Sequence, residues 1–219
     1  MFYVFLDPFN ELTSGVTTYV KAAAQNLCAI ANISIIVIAR TPQEDLNAFR
    51  IRVATEISIL PENELIVEAP ETLYTTKYLA TSTTIHIRLH GSRQLGRKLQ
   101  GLVVDEFEIE AEKKEIRRAA YISAPSSVAE ISSSILYGIR LTANIYPNPC
   151  PQHEENTESV EKLFDVLFLG RWQVMKGADY VKTIRKHQPD LKIAIACTKK
   201  PRDLPKGIPW IPVNNVKDR

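Results

Sequence analysis

Short apolar runs alternate with segments of helical periodicity along almost the whole chain. FYVFLD (2–7) is apolar and stops at an Asp-Pro pair. SGVTTYVKAAAQNLCAIA (14–31) repeats its apolar positions at Val16, Tyr19, Val20, Ala23, Leu27 and Ile30, the spacing of one helix face. ISIIVIA (33–39) is a continuous β-branched run, the pattern of a strand covered on both faces. ELIVEAP (64–70) and TIHIRLH (84–90) predict further strands. DEFEIEAEKKEIRRAA (105–120) predicts a charged helix with Glu110 and Lys114 at i,i+4. YISAP (121–125) is a short strand, SSVAEISSSIL (126–136) a helix capped by Ser126, and ANIYPNP (143–149) a last short strand. Residues 40–63, with QEDLNAFRIRVATEI, read equally as helix or strand. The alternation predicts an α/β fold, an open and mainly parallel sheet with helices on both faces.

The rhythm then breaks. CPQHEENTESVEKL (150–163) is polar and acidic and reads as a linker. FDVLFLG (164–170), a helix near 177–187, LKIAIAC (191–197) and PWIPV (209–213) restart it. The expected organisation is a first domain at 1–149, a linker at 150–163 and the start of a second domain at 164–219. A piece of that size is marginal alone, so exposed apolar surface and self-association are expected of it.

Composition changes this picture little. The 219 residues are 45% hydrophobic and 24% charged, which is ordinary for a globular protein and excludes disorder by composition. No apolar run is long enough to span a membrane, and the N-terminal stretch reads as a buried strand rather than a signal peptide. Cys28, Cys150 and Cys197 are far apart, without the spacing of a zinc or redox motif, which points to free thiols and a cytoplasmic setting. Buried packing is expected for Cys28 and Cys197. Charge is more telling. Residues 162–219 hold 13 Lys or Arg against 5 Asp or Glu, while residues 1–161 hold 14 against 20. A basic second part fits a phosphate-bearing ligand or a membrane surface. Nucleic acid is not expected, because no binding motif is present and the cations are not interleaved with aromatics.

Candidate chemistry gathers where strands end. GRWQVMKG (170–177) places Arg171 and Lys176 in the turn between a buried strand and a helix. There a guanidinium, an ammonium and a helix dipole can hold phosphate. Solvated loop cations are the plainer reading. TSGVTTYVK (13–21) opens a helix at Ser14-Gly15, where Gly15 lets backbone approach an anion; a simple Ser14 cap explains it as well. Glu68 and Glu71 lie near the end of one strand, and either carboxylate could orient a sugar hydroxyl or act as a base. For Glu71, a favourable helix-start acid is the even alternative. His86 and His90 do not suit one metal ion, since i,i+4 on a strand separates them by roughly 13 Å. His90 precedes Gly91 at the strand end and is the site candidate; a structural role is expected of His86. Asn148, between two prolines, reads as a rigid hinge turn.

Taken in order, these segments resemble the retaining GT-B glycosyltransferases of family four, the glycosyl transferase group 1 class. SGVTTYVKAAAQNL is similar to that family's Gly-Gly-Val loop and first helix, YISAPSSVAEI to one of its strand–helix units, and NIYPNP to its approach to the interdomain linker. VLFLGRWQVMKGADYVKTIRKHQPDLKIAIA resembles the opening of its donor-binding domain, where GR-x4-KG is the most specific motif. The resemblance covers nearly the whole chain and is weakest at 40–63. Ser14 stands where many members have their first glycine, and Glu68, Pro70 and Glu71 stand where many have a histidine. No glutamate follows Glu161, whereas the family carries an E-x7-E motif in its second domain.

The resemblance implies two Rossmann-like domains across a cleft, the second one truncated here. It implies transfer of a sugar, with retention, from a nucleotide-diphosphate-sugar donor to a polysaccharide or glycolipid acceptor. Arg171 and Lys176 would hold the donor diphosphate and Gly15 would approach it. Glu68, Glu71 and His90 would be the catalytic residues on the acceptor side. Neutralising the leaving diphosphate is the physical core of such chemistry. No cofactor or metal is implied beyond the donor substrate. The implied setting is cytoplasmic, at the inner face of the membrane with peripheral membrane association, in cell-surface polysaccharide or glycolipid assembly. The chain alone is expected to transfer sugar weakly or not at all. The alternative is a non-catalytic module that binds an acceptor or a phosphorylated ligand, or one half of a split enzyme.

Overall fold

A computed structural model describes residues 1–11, 14–30, 32–149 and 162–213. The chain divides into two compact units, Met1–Gln152 and His153–Arg219. The expected linker at 150–163 lies outside the described residues except for Lys162 and Leu163, and Cys150 lies outside them too.

The first unit is a parallel sheet in the order β2-β1-β3-β4-β5-β6. Its strands are β1 (Phe2–Asp7), β2 (Ser34–Ala39), β3 (Leu65–Pro70), β4 (Thr84–Arg88), β5 (Tyr121–Ala124) and β6 (Asn144–Ile145). Its helices are α1 (Gly15–Leu27), α2 (Leu46–Ser58), α3 (Arg93–Leu99), α4 (Glu106–Arg118) and α5 (Ser127–Tyr137). Strand alternation sorts the side chains onto two faces. Val4, Leu6, Ile38, Val67, Ile85 and Ile87 pack against Phe49, Val53 and Ile57 of α2, Ile109 and Ile116 of α4, and Leu136 and Tyr137 of α5. On the opposite face Phe5 packs with Val16, Val20, Ala23 and Ala24 of α1. The expected Rossmann-like layering, helices on both faces of a parallel sheet, is what the first unit adopts.

Local chemistry explains the boundaries. Ser14 Oγ accepts from Thr17 N–H at 3.4 Å and starts α1. The ambiguous 40–63 stretch contains a helix, α2, because Asp45 Oδ1 accepts from Asn47 and Ala48 N–H at 2.8 and 2.9 Å. Phe49, Val53 and Ile57 then bury one face at helical spacing. Ser126 caps α5 as expected, and Gly138 ends it at φ 59°. Helix α3 was not foreseen; Ser92 caps it through Leu95 N–H at 3.1 Å.

Two local expectations are corrected. Glu110 pairs with Lys113 at 3.1 Å, one residue short of Lys114. Cys28 is exposed because it caps the end of α1, while Cys197 is buried in the second unit as expected.

The connection from β3 to β4 holds no helix. Leu73 and Tyr74 are left-handed, at φ 67° and 32°, a costly conformation for residues with a Cβ. Buried polar groups fix it. Glu112 Oε1 accepts from Leu73 N–H at 3.1 Å and from Thr72 Oγ1 at 3.0 Å. Arg50 donates to Leu73 O at 2.8 Å and stacks 3.7 Å from the Tyr74 ring. Arg118 donates to the carbonyls of Leu79 and Ala80 at 2.9 and 2.7 Å.

The second unit is a parallel sheet in the order β7-β8-β9. Its elements are β7 (Val166–Leu169), α6 (Ala178–His187), β8 (Ile193–Cys197) and β9 (Trp210–Pro212). Phe168, Val181, Ile193, Ile195, Cys197 and Ile208 form its core. On the other face of β7, Leu167 and Leu169 are 54% and 58% exposed. No helix among the described residues is long and apolar enough to cross a membrane.

Candidate functional site

Parallel α/β sheets bind ligands beyond the carboxyl ends of their strands. In the first unit that edge carries a continuous polar row. Register places Glu68 beside Phe5 and beside His86, and Arg88 beside Ser123. All lie on the α1 face of the sheet, and the row runs across β1, β3, β4 and β5.

The row is hydrogen-bonded throughout. Tyr3 Oη donates to Glu68 Oε2 at 2.5 Å and lies 2.7 Å from His86 Nδ1. Nδ1 is 3.1 Å from Glu68 Oε2, and Nε2 is 2.7 Å from Ser123 Oγ. One proton arrangement satisfies every group: Ser123 donates to Nε2, Nδ1–H points to Tyr3 and Glu68, and Tyr3 donates to Glu68. The order Ser–His–Glu is that of a nucleophile relay. Ser123, however, is 1% exposed, so the row acts as a structural brace that fixes the sheet edge. His86, for which a structural role was expected, is held on both ring nitrogens within this row.

Glu68 is buried among these donors. Burial alone would push its carboxyl up, but bonds from His86, Tyr3 and Tyr19 hold it below the usual carboxylate range. The Tyr3 and Tyr19 hydroxyls are pushed up, by burial first and then by the Glu68 charge. Arg88, on the same face of the sheet, is also buried. It donates to Ser123 Oγ at 3.3 Å, Tyr146 O at 2.6 Å and Asn148 Oδ1 at 2.8 Å, and lies 4.7 Å from the Tyr19 ring centroid. Asn148, expected as a hinge turn, is thus tied to the sheet edge.

His90 stands just past β4. Its ring meets Tyr19 edge-on at 4.9 Å. Burial, with the Arg88 charge second, pulls its pKa down to about 4, so the imidazole is neutral at pH 7. It is partly exposed at the strand edge, the position from which a neutral ring can accept a proton or a hydroxyl hydrogen bond.

Glu71 is placed differently. It is 1% exposed, and its oxygens accept from the backbone N–H groups of His90 at 2.8 Å and Gly91 at 2.6 Å. Burial pushes its carboxyl up to about 7. No helix starts at Glu71; the acid shapes the turn that presents His90. Gly15 is the first residue of α1, and a Cβ there would meet nothing within 4 Å. Its backbone lies open on one side.

In the second unit the turn after β7 follows the expected outline. Gly170 takes φ 133° and its N–H donates to Ala196 O at 3.1 Å. Arg171 and Lys176 are exposed in the turn, and a short 3-10 segment, Val174–Lys176, leads to Gly177 at φ 89°. Gly177 caps α6 and brings no side-chain acceptor to the first-turn N–H groups. Trp172 is held by Asp203, Nε1 to Oδ1 at 2.9 Å, and Asp203 is held in turn by Lys182 at 2.6 Å. Among the described residues, no cluster of His, Cys, Asp and Glu could hold a metal ion.

The sequence named Glu68, Glu71, His90, Gly15 and the Arg171–Lys176 turn as candidates; it did not name Tyr3, Tyr19, Arg88 or Ser123, which the sheet places around Glu68 and His86. A signal existed for Arg88: a charge inside the apolar run TIHIRLH must be paired if that run is a buried strand.

No protein-family model and no curated protein matches the chain. A solved structure assigned as a UDP-N-acetylglucosamine 2-epimerase from Listeria monocytogenes aligns over 98% of this chain and 69% of its own, at 11% identity and a TM-score of 0.48. A likeness that distant assigns no role to any residue, so the site stands on its own geometry.

Proposed function

We propose that the chain serves a retaining GT-B glycosyltransferase of the family-four type, taking a sugar from a nucleotide-diphosphate donor to a saccharide or glycolipid acceptor. The observation that carries the reading is the β7–α6 turn. Two left-handed glycines frame Arg171 and Lys176 ahead of a helix whose first turn has no side-chain cap. N–H groups, a guanidinium and an ammonium in one turn match the charge of a leaving diphosphate. In this reading Arg171 and Lys176 hold that diphosphate and Gly15 offers open backbone to phosphate. Neutral His90 accepts a hydrogen bond from the acceptor hydroxyl. Ionised Glu68 fixes the charge beneath it, and Glu71 positions His90 through its backbone. Beyond its two substrates this chemistry calls for no cofactor. A cytoplasmic enzyme working at the inner face of a membrane fits the glycolipid form of the proposal.

Isothermal titration with UDP and GDP tests it. Binding that Arg171→Ala and Lys176→Ala each abolish supports the reading; no binding of either nucleotide overturns it.

A second reading has one observation in its favour. Glu71 is committed to backbone N–H groups, which leaves few free acids at the strand edge. On that reading the chain is a non-catalytic module for a phosphorylated ligand, or half of a split enzyme. Nucleotide binding without transfer of radiolabelled sugar from any donor would favour it.

A further inference from the structure

A second candidate site lies within the first unit. The outer face of α4 and the β3–β4 connection enclose a groove of about 370 Å³, at the small end of the range for ligand pockets. Tyr74, Lys77, Phe107, Lys114, Glu115 and Arg118 line it, with Glu110 and Ala111.

Four features mark it as built rather than incidental. Tyr74 reaches it from the left-handed Leu73–Tyr74 pair, a conformation held by Glu112 and Arg50. Strain maintained by several buried partners is a recurrent mark of functional positions. Arg50 stacks on the Tyr74 ring at 3.7 Å, which locks the ring's orientation. Phe107 is 77% exposed, so a large aromatic surface stands open beside the groove. Glu115 is 7% exposed, its Oε2 accepts from Thr76 N–H at 3.5 Å, and its Oε1 is buried without a hydrogen-bond partner. A buried acceptor left unpaired costs free energy that a ligand donor would recover.

The rim adds charge. Lys77 and Lys114 line the groove, and Glu110 is already paired with Lys113. Arg118 is engaged with backbone carbonyls. Two aromatic rings, a buried acceptor and two lysines each select one part of a ligand. The rings select a flat face, Glu115 Oε1 selects an N–H donor, and the lysines select an anion.

From this we infer that the groove binds a planar ring bearing an N–H donor and an anionic group, the chemistry of a nucleoside monophosphate. The inference does not rest on the diphosphate reading, and a site on the outer face of α4 suits an effector rather than a substrate.

The test is titration of isotope-labelled protein with AMP, GMP and UMP in turn, followed by amide NMR. At least one nucleotide is expected to shift the amides of Tyr74–Lys77 and Phe107–Arg118. Phe107→Ala and Lys114→Glu change exposed side chains and are expected to keep the fold, as thermal unfolding will verify, while each weakens binding about ten-fold. Arg171→Ala is expected to leave those shifts in place. The inference is overturned if none of the three nucleotides moves these amides. It is overturned equally if the shifts survive both groove substitutions or vanish with Arg171→Ala. The last outcome would still leave the diphosphate reading standing.

Discussion

The Arg88 guanidinium holds Asn148, Nη2 to Oδ1 at 2.8 Å, and so ties the segment after β6 to the carboxyl end of β4. The same nitrogen holds Tyr146 O at 2.6 Å. A buried arginine with three protein acceptors and an aromatic neighbour fixes the strand edge where His90 stands.

That relationship sets the first prediction. Asn148→Ala removes one charge-assisted bond and is expected to cost about 1–2 kcal/mol. Arg88→Ala removes three hydrogen bonds from a buried charge at once, leaving their acceptors unpaired, and is expected to cost about 3 kcal/mol or more. Urea unfolding of the two variants measures both. Equal midpoints for wild type and Asn148→Ala would show that the tie does not stabilise the unit.

Stability should fall as pH rises from about 4.5 to 8. Glu71, Glu112 and Glu115 each have a folded pKa near 7, raised chiefly by burial. The folded state therefore holds protons that the unfolded chain releases, and it is favoured below the unfolded pKa and weakened through the folded one. His90 works the other way between its folded pKa of about 4 and its unfolded value, but it is one group against three. The net loss from pH 5 to pH 8 is on the order of a few kcal/mol. Glu112→Gln keeps the shape of the acceptor and should flatten the profile of melting temperature against pH. An unchanged slope in that variant would remove Glu112 from the account.

Two glycines should respond oppositely to alanine. Gly177 sits at φ 89°, and a Cβ there would also approach the Tyr180 ring at 3.6 Å. Gly177→Ala is expected to destabilise the second unit by about 1 kcal/mol or more. Gly15 is helical and a Cβ there meets open space, so Gly15→Ala should not lower the melting temperature. It thereby becomes a clean probe: lost UDP or GDP affinity at unchanged stability would assign its backbone to the ligand.

Trp172 should report on ligand binding at the β7–α6 turn. It follows Arg171 directly and is anchored to Asp203 and packed edge-on against Phe168 at 5.1 Å. Adding UDP or GDP is expected to change its fluorescence, and Lys176→Ala should remove the change. Because the indole–Asp203–Lys182 contacts are exposed, Asp203→Asn should shift stability only slightly. A large loss of stability in that variant would mean that the exposed contacts matter more than solvent screening allows.

The sequence by itself determined the order and type of most elements. Periodicity separated strands from helices because apolar faces must be buried at intervals of two or about 3.6 residues. Ser14 and Ser126 were legible as caps because a short side-chain oxygen satisfies N–H groups close by in the chain. The strand–turn–helix outline around Arg171 and Lys176 was legible for the same reason: it is local to one short stretch of chain. Only tertiary structure decided the 40–63 stretch, where the sequence pattern was even and burial of Phe49, Val53 and Ile57 against the sheet selected the helix. Only it brought Tyr3, Glu68, His86, Arg88 and Ser123 into one row, because strand register sets those contacts across long separations. It also turned Glu71 inward and left Cys28 outside. Neither outcome is written in composition or spacing, since both depend on which neighbours the folded sheet supplies.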